Sequence, residues 1–315
     1  MGAIEIVDAH KTYRRRRGGP NKAVNGLDLV VDDGGVHGFL GPNGSGKTTT
    51  IRMLLGLVRP DSGRLQVLGQ PVPHALPSLV PDIGALVETP IFFPNFSGRT
   101  NLRILGDVAG ISTSRQEECL EVVGLRERAD ERFKAYSLGM KQRLGIAAAL
   151  LKSPRLLILD EPSNGLDPAG IREVRELIRA LGADGRTTVF LSSHLLAEVQ
   201  QVCDHVSILA RGRCVASGRV ADVLATGASG DIVVSLDPTD AERGLDVLQD
   251  RGFQVTVHPD GIHARKVGDP ARVTRALADS GIYLRGLTPV IADLESVFLE
   301  LTADDAADVT AGDAA

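Results

Sequence analysis

The nine residues Gly41-Pro42-Asn43-Gly44-Ser45-Gly46-Lys47-Thr48-Thr49 carry the most specific chemistry in the chain. Glycines without a Cβ let backbone N–H groups curl around an anion at the start of a helix. Lys47 then reaches the β- and γ-phosphates of a nucleoside triphosphate, and the Thr48 hydroxyl is offered to Mg²⁺. An apolar run, Val36 to Leu40, precedes the loop, and a stretch of helical character, Thr50 to Leu57, follows it. That strand–loop–helix setting is the one such a loop requires. The loop implies a bound triphosphate and leaves open what its energy drives.

Further along, Leu156-Leu157-Ile158-Leu159 runs straight into Asp160-Glu161-Pro162. A buried strand ending in two carboxylates is costly unless the charges meet a metal or water. Asp160 suits coordination of Mg²⁺, directly or through water, and Glu161 suits polarising an attacking water as general base. The plain alternative is a strand that ends in a solvated acidic turn. In Ser163-Asn164-Gly165-Leu166-Asp167-Pro168, taken alone, Asp167 reads as a helix N-cap before a first-turn proline. Leu191-Ser192-Ser193-His194 places a histidine just past a strand end, where it is either structural or within reach of a γ-phosphate.

The segment Tyr136-Ser137-Leu138-Gly139-Met140-Lys141-Gln142-Arg143 leads into an apolar helix, Leu144 to Leu151. Ser137 and Gly139 at a helix entrance offer a hydroxyl, a bare backbone N–H and the helix dipole, which make a second anion site. A second such site in one chain makes most sense if it closes on a nucleotide held by another subunit.

These residues need a scaffold of alternating elements. Ile4 to Ala9, Val36 to Leu40, Leu156 to Leu159 and Val189 to Leu191 read as buried strands, with helices such as Gly139 to Leu151 and Ala169 to Leu181 between them. The pattern predicts an α/β domain over residues 1–225. The flexible stretch from Thr226 to Gly230 marks a boundary. Residues 231–302 then predict a small α+β domain of the split βαβ kind, with strands at Ile232 to Leu236, Phe253 to Val257, Ile262 to Lys266 and Ile282 to Leu287. Residues 303–315 are acidic and Ala-rich, the composition of a disordered tail.

Composition removes other classes. A net charge of −5 argues against a nucleic-acid partner. The Arg14 to Arg17 run has no aromatics interleaved and reads as a solvated hairpin tip, or else as a contact to anionic lipid headgroups or nucleotide phosphate. Three scattered cysteines favour reduced thiols over disulfides or zinc. The N-terminus lacks the apolar segment of a signal peptide, and no window approaches the ~18 apolar residues of a membrane span. Work at a membrane would therefore go through a partner.

Taken together, the motifs identify the chain as resembling the nucleotide-binding subunit of an ABC transporter over roughly residues 4–225. The parts stand in that family's order. The resemblance implies a P-loop ABC-type nucleotide-binding domain with a helical subdomain. In it Gly41, Asn43, Gly44, Ser45, Gly46, Lys47, Thr48 and Thr49 form the Walker A loop. Tyr13 sits where an aromatic stacks on adenine, and Ser137, Gly139 and Met140 occupy the signature. Asp160 and Glu161 are the Mg²⁺-associated and base carboxylates, Asp167 is the D-loop Asp and His194 the switch His. It further implies ATP and Mg²⁺ as cofactors, a head-to-tail dimer around two ATP, and a separate integral membrane permease at the cytoplasmic face of the membrane. The dimer is formed with itself or with a related ATPase chain.

Two departures from the family pattern matter. The usual Leu-Ser-Gly-Gly-Gln signature reads Tyr136-Ser137-Leu138-Gly139-Met140, and the usual Q-loop Gln is Glu88, expected at the nucleotide and Mg²⁺. Both departures, and the ending Asp293-Leu294-Glu295-Ser296-Val297-Phe298-Leu299-Glu300-Leu301-Thr302, are similar to the antibiotic-efflux branch of bacitracin and daunorubicin exporters. That branch implies export of a drug, antibiotic or lipid. The alternative is a soluble regulator or translation-associated factor. After Glu88, Phe92, Phe93 and Phe96 crowd a proline-flanked loop. They either plug the protein's own core or present a surface to the permease.

Overall fold

The computed structural model describes residues 2–14, 19–88, 90–226, 230–290, 294–295 and 297–299. The chain divides into two compact units, Met1–Val220 and Ala221–Ala315.

The first unit opens with β1 (Ile4–Tyr13), β2 (Asn21–Val31) and β3 (Val36–Leu40), then α1 (Lys47–Leu54), β4 (Ser62–Val67), β5 (Gln70–Val72), α2 (Leu76–Leu79) and β6 (Ile83–Leu86). Three longer helices follow, α3 (Gly98–Val108), α4 (Thr113–Val122) and α5 (Leu138–Leu150). The chain then returns through β7 (Leu156–Asp160), α6 (Pro168–Ala183), β8 (Thr188–Ser193), α7 (Leu196–Val202), β9 (His205–Ala210) and β10 (Arg213–Arg219). Helix α8 (Val220–Thr226) lies at the division between the units.

The central sheet has the order β10-β9-β3-β8-β7-β6. All its pairings are parallel except the one between β9 and β10. Strands β3, β7 and β8 are buried along their whole length, as expected of parallel strands covered on both faces. Continuous apolar runs such as Leu156-Leu157-Ile158-Leu159 satisfy that burial, each Leu worth about 1.5–3 kcal/mol. The Phe39 and Phe190 rings, 5.1 Å apart and fully buried, join neighbouring strands. The three carboxyl ends point their loops to one edge, where an open parallel sheet binds ligands.

A second, antiparallel sheet, ordered β2-β1-β4-β5, lies outside the expectation from sequence, which ends its first strand at Ala9. In the structure β1 continues to Tyr13, through an irregularity where Asp8 has φ 47°. Helix α1 begins at Lys47 rather than Thr50. Helix α5 packs against β6 and against α3, α4 and α6, which makes the three helices a subdomain on the flank of the sheet.

The second unit runs β11 (Ile232–Ser235), α9 (Ala241–Asp250), β12 (Gln254–His258), β13 (Gly261–Arg265), α10 (Pro270–Asp279), β14 (Gly286–Pro289). Its sheet is antiparallel in the order β12-β13-β11-β14. Val234, Leu248, Ala264, Val273 and Leu277 form its core at 0% exposure. Leu294 and Val297 of the C-terminal motif are also buried. Leu301, residues 303–315 and Arg15 to Arg17 lie outside the described residues.

Candidate functional site

The loop from Gly41 to Gly46 closes between β3 and α1 with glycine where nothing larger fits. A Cβ on Gly41 would stand 2.5 Å from Ser45 Oγ and 2.6 Å from the Leu209 carbonyl. Gly46 has φ +111°, and a Cβ there would stand 2.3 Å from the Ala23 carbonyl. Lys47 follows, only 5% exposed. Its Nζ donates to the Gly41 carbonyl at 2.7 Å and meets Glu161 Oε1 at 3.1 Å. A buried ammonium without such partners would cost several kcal/mol.

Asp160 ends β7 and stands opposite Ser192 of β8 in parallel register. The Ser192 hydroxyl donates to Asp160 Oδ1 at 2.6 Å and accepts from the Glu161 N–H at 2.9 Å. One hydroxyl therefore fixes both carboxylate residues. Glu161 has φ +50°, a conformation that costs a non-glycine residue about 1–3 kcal/mol. The strained turn, tied to Ser192, aims Glu161 at the loop. Glu161 Oε2 lies 2.6 Å from His194 Nδ1, so Lys47, Glu161 and His194 form one chain of contacts.

Tyr13, Asn21, Ala23, Asn43, Gly44, Gly46, Lys47, Thr48, Thr49, Glu161, Asn164 and His194 surround a single cleft of ≈ 300 Å³. The end of β1, an inner strand of the antiparallel sheet, brings Tyr13 to this cleft. Its ring is 36% exposed and has Lys11 Nζ 5.8 Å from its centroid.

Oxygen donors converge where a hard cation would be needed. Thr48 Oγ1 donates to Asp160 Oδ1 at 3.4 Å; Ser45 Oγ, buried without a hydrogen-bond partner, stands by Gly41 and is not among the residues lining the cleft. Among the described residues no group of three or more His, Cys, Asp or Glu side chains could hold a metal alone. A hydroxyl, one carboxylate and substrate phosphates are the mixed ligand set that Mg²⁺ takes. The residues present thus fit Mg²⁺ brought in with a nucleotide.

Glu88 does not line this cleft. It has φ +64°, is 64% exposed and pairs with Arg52 near the end of α1. Ser137, Gly139, Met140 and Asp167 also lie elsewhere, around a second cleft of ≈ 420 Å³ shared with Arg128, Arg143 and Gly170. Ser137 is the N-cap of α5 and accepts from the Met140 N–H at 3.2 Å. Its hydroxyl is therefore engaged with the helix, whereas the sequence alone aims it outward. Met140 itself is 4% exposed. Asp167 caps α6, accepting from the Gly170 N–H at 3.0 Å.

The three phenylalanines divide. Phe92 is half-buried, with its ring edge-on to Phe133 at 5.2 Å, whereas Phe93 and Phe96 are 57% and 46% exposed. Buried Asn101 fastens the loop, accepting from the Phe93 N–H at 2.8 Å and donating to the Phe93 carbonyl at 3.1 Å.

Ser192, Asn21 and Asn164 are site residues that motif reading passed over. Ser192 is adjacent to a recognised motif, but only the register between β7 and β8 reveals what it holds.

Comparison with known proteins agrees with this geometry. The family model described as ABC transporter matches residues 24–164. The bacitracin transport ATP-binding protein of Bacillus licheniformis is 38% identical over 304 residues, 95% of this chain and 96% of that protein. The daunorubicin/doxorubicin resistance ATP-binding protein of Streptomyces peucetius is 35% identical, covering 99% of this chain and 96% of its own length. Among solved structures, cbiO1 of Clostridium perfringens, part of an ABC transporter complex, superposes with a TM-score of 0.63 at 27% identity, over 71% of this chain and 91% of that one.

Proposed function

The chain belongs to the ABC transporter ATP-binding family and is an ATPase subunit of a transporter, and we propose that it is the motor of an exporter working with a separate membrane permease. The observation that carries the motor chemistry is the contact chain Lys47–Glu161–His194 beside the glycine loop, in one cleft.

The chemistry follows from the residues. ATP enters with its base toward Tyr13 and its phosphates in the loop. The γ-phosphate replaces Glu161 as the partner of Lys47, which frees the carboxylate to orient and deprotonate water. His194, already hydrogen-bonded to Glu161, senses that charge and stabilises the transferring phosphoryl group. Thr48 and Asp160 would hold Mg²⁺, which supplies neutralisation of charge on the phosphate oxygens.

The signature cleft is lined by Arg128 and Arg143, and its carboxylates are engaged, Asp167 in the cap of α6 and Glu173 with Arg143, which favours a head-to-tail dimer enclosing two ATP. For the permease, an apolar groove of ≈ 450 Å³ runs between the sheet edge and the helical subdomain, past Pro90, Ile91, Phe92 and Leu105. Ile91 is 95% exposed, and Phe93 and Phe96 follow it in the same loop at 57% and 46% exposure. No helix among the described residues is long and apolar enough to cross a membrane. The proposed place is thus the cytoplasmic face of the membrane, against a permease. The relatives named for bacitracin transport and daunorubicin resistance favour an antibiotic or drug as cargo.

Affinity purification of the tagged chain from detergent-solubilised host membranes tests the reading. A polytopic membrane protein at about one-to-one stoichiometry is expected, and a soluble partner or ribosomes in its place would refute it. Phe93→Ala should abolish transport with basal ATPase intact.

A further inference from the structure

Four of the seven Arg and Lys between residues 230 and 290, but only one of the nine Asp and Glu, line a single cleft of the C-terminal unit. The cations are Arg251, Arg265, Lys266 and Arg272. The cleft, ≈ 230 Å³, lies where the turn after α9 meets the segment joining β13 to α10. The carboxylate, Asp269, is already committed. It caps α10 and accepts from the Ala271 N–H at 3.0 Å. The side-chain ion pairs of this unit's described residues are Asp260–His263 and Asp237–Arg285, and none of the four cations belongs to either.

Two features fix parts of this array, the Arg272 guanidinium and the Lys266 backbone. The Arg272 guanidinium lies over the Phe253 ring, 5.6 Å from its centroid. Stacking fixes the plane of a guanidinium and leaves its N–H edge for a ligand. Lys266 sits at φ +50°, and its N–H is tied to Asp231 Oδ1 at 2.8 Å. A left-handed lysine is a strained position, of the kind retained at ligand clamps. Like charges gathered in one concave place repel until an anion joins them. The unit's core lies between its sheet and helices and does not need them there.

The geometry points to a phosphate-binding site on the C-terminal unit, formed by Arg251, Arg265, Lys266 and Arg272. Arginine N–H groups in a forked array suit phosphate oxygens, and the cleft of ≈ 230 Å³ has room for a phosphate or pyrophosphate group. A soluble phosphorylated molecule and the headgroup of an anionic phospholipid present the same chemistry to it.

The chain contains no Trp, so Phe253→Trp sets one indole in the cleft and keeps the stacking with Arg272. The test uses the full-length chain with Lys47→Ala added, which silences the nucleotide loop. Inorganic pyrophosphate is titrated first, then vesicles of phosphatidylcholine with and without phosphatidylglycerol, and indole emission is followed. A saturable change is expected with pyrophosphate or with the anionic vesicles. Adding Arg251→Gln and Arg265→Gln should weaken it at least about tenfold, as loss of charge-assisted hydrogen bonds requires. The melting temperature should hold, because both arginines are exposed. A response to pyrophosphate alone makes the ligand a soluble phosphate compound, and a response to anionic vesicles alone makes it a lipid headgroup. Either upholds the site. No response to either probe, an equal response to pure phosphatidylcholine, or a response that survives both substitutions overturns it.

Discussion

The two clefts of the N-terminal unit differ in what their charges do. In the phosphate-loop cleft, Lys47, Glu161 and His194 touch one another, and Ser192 holds the carboxylates of the turn. These are the groups of a reaction. In the signature cleft the polar groups serve the fold. Ser137 and Asp167 cap helices, and Arg143 is tied to Glu173 at 3.1 Å and to the Val123 carbonyl at 3.0 Å. No carboxylate there is positioned as a base. The difference fits the proposed division of labour, in which one cleft carries the groups for hydrolysis and the other, lined by Arg128 and Arg143, would face the phosphates of a second chain's nucleotide. On that reading the two make a complete site only when two chains meet.

Glu161→Gln strikes the reactive side hardest. Turnover should fall about 10²–10⁴-fold, the usual worth of a general base, while ATP still binds. ATP-dependent dimers should accumulate in size-exclusion chromatography, and a variant that stayed monomeric would break the pairing of the clefts. Gly139→Asp strikes the other side. A Cβ at Gly139 meets nothing nearer than the Gly170 Cα at 3.6 Å, so a side chain can start there without a clash, and the added charge would repel phosphate; an unchanged melting temperature checks that the fold holds. ATPase activity should fall on the order of 10²-fold with nucleotide affinity of the monomer unchanged, as equilibrium dialysis would show. Full activity in this variant would mean that the signature cleft takes no part.

Ser192→Ala sharpens the contrast within the reactive cleft. Losing one hydrogen bond to a charged group costs about 1.5–3 kcal/mol, so kcat should drop at least about tenfold with KM little changed. The last effect is on stability rather than turnover and concerns the strand that delivers the loop. Burial, and secondarily the nearby His205, lowers the pKa of His37 on β3 to about 4. Unfolded, it titrates near 6.5 and so binds more protons than the native state between these values. Stability is therefore full above pH 6.5 and falls by about 3 kcal/mol as pH drops toward 4. Circular-dichroism melts of His37→Phe should lack that part of the acid loss.

The fold's parallel core was legible because burial on both faces leaves continuous apolar runs, as in Leu156 to Leu159. The antiparallel sheet was less so, since β2 and β4 mix polar and apolar residues and both depend on pairing with β1, distant in sequence from β4. The phosphate loop and the two carboxylates showed themselves by type and spacing. Ser192 did not, because its role comes from a strand register 32 residues away in sequence. The division between Phe92 and its two exposed neighbours was equally hidden, for it depends on where Phe133 stands.

Mixing two inactive chains tests the central claim most directly. Lys47→Ala disables the loop and keeps the signature, and Gly139→Asp does the reverse. Each alone should hydrolyse almost no ATP. A mixed dimer places the intact loop of one chain against the intact signature of the other. The mixture should therefore regain ATPase activity well above the sum of its parents, rising with protein concentration. Activity that stayed at that sum, with mixed dimers present, would contradict a site shared between two chains.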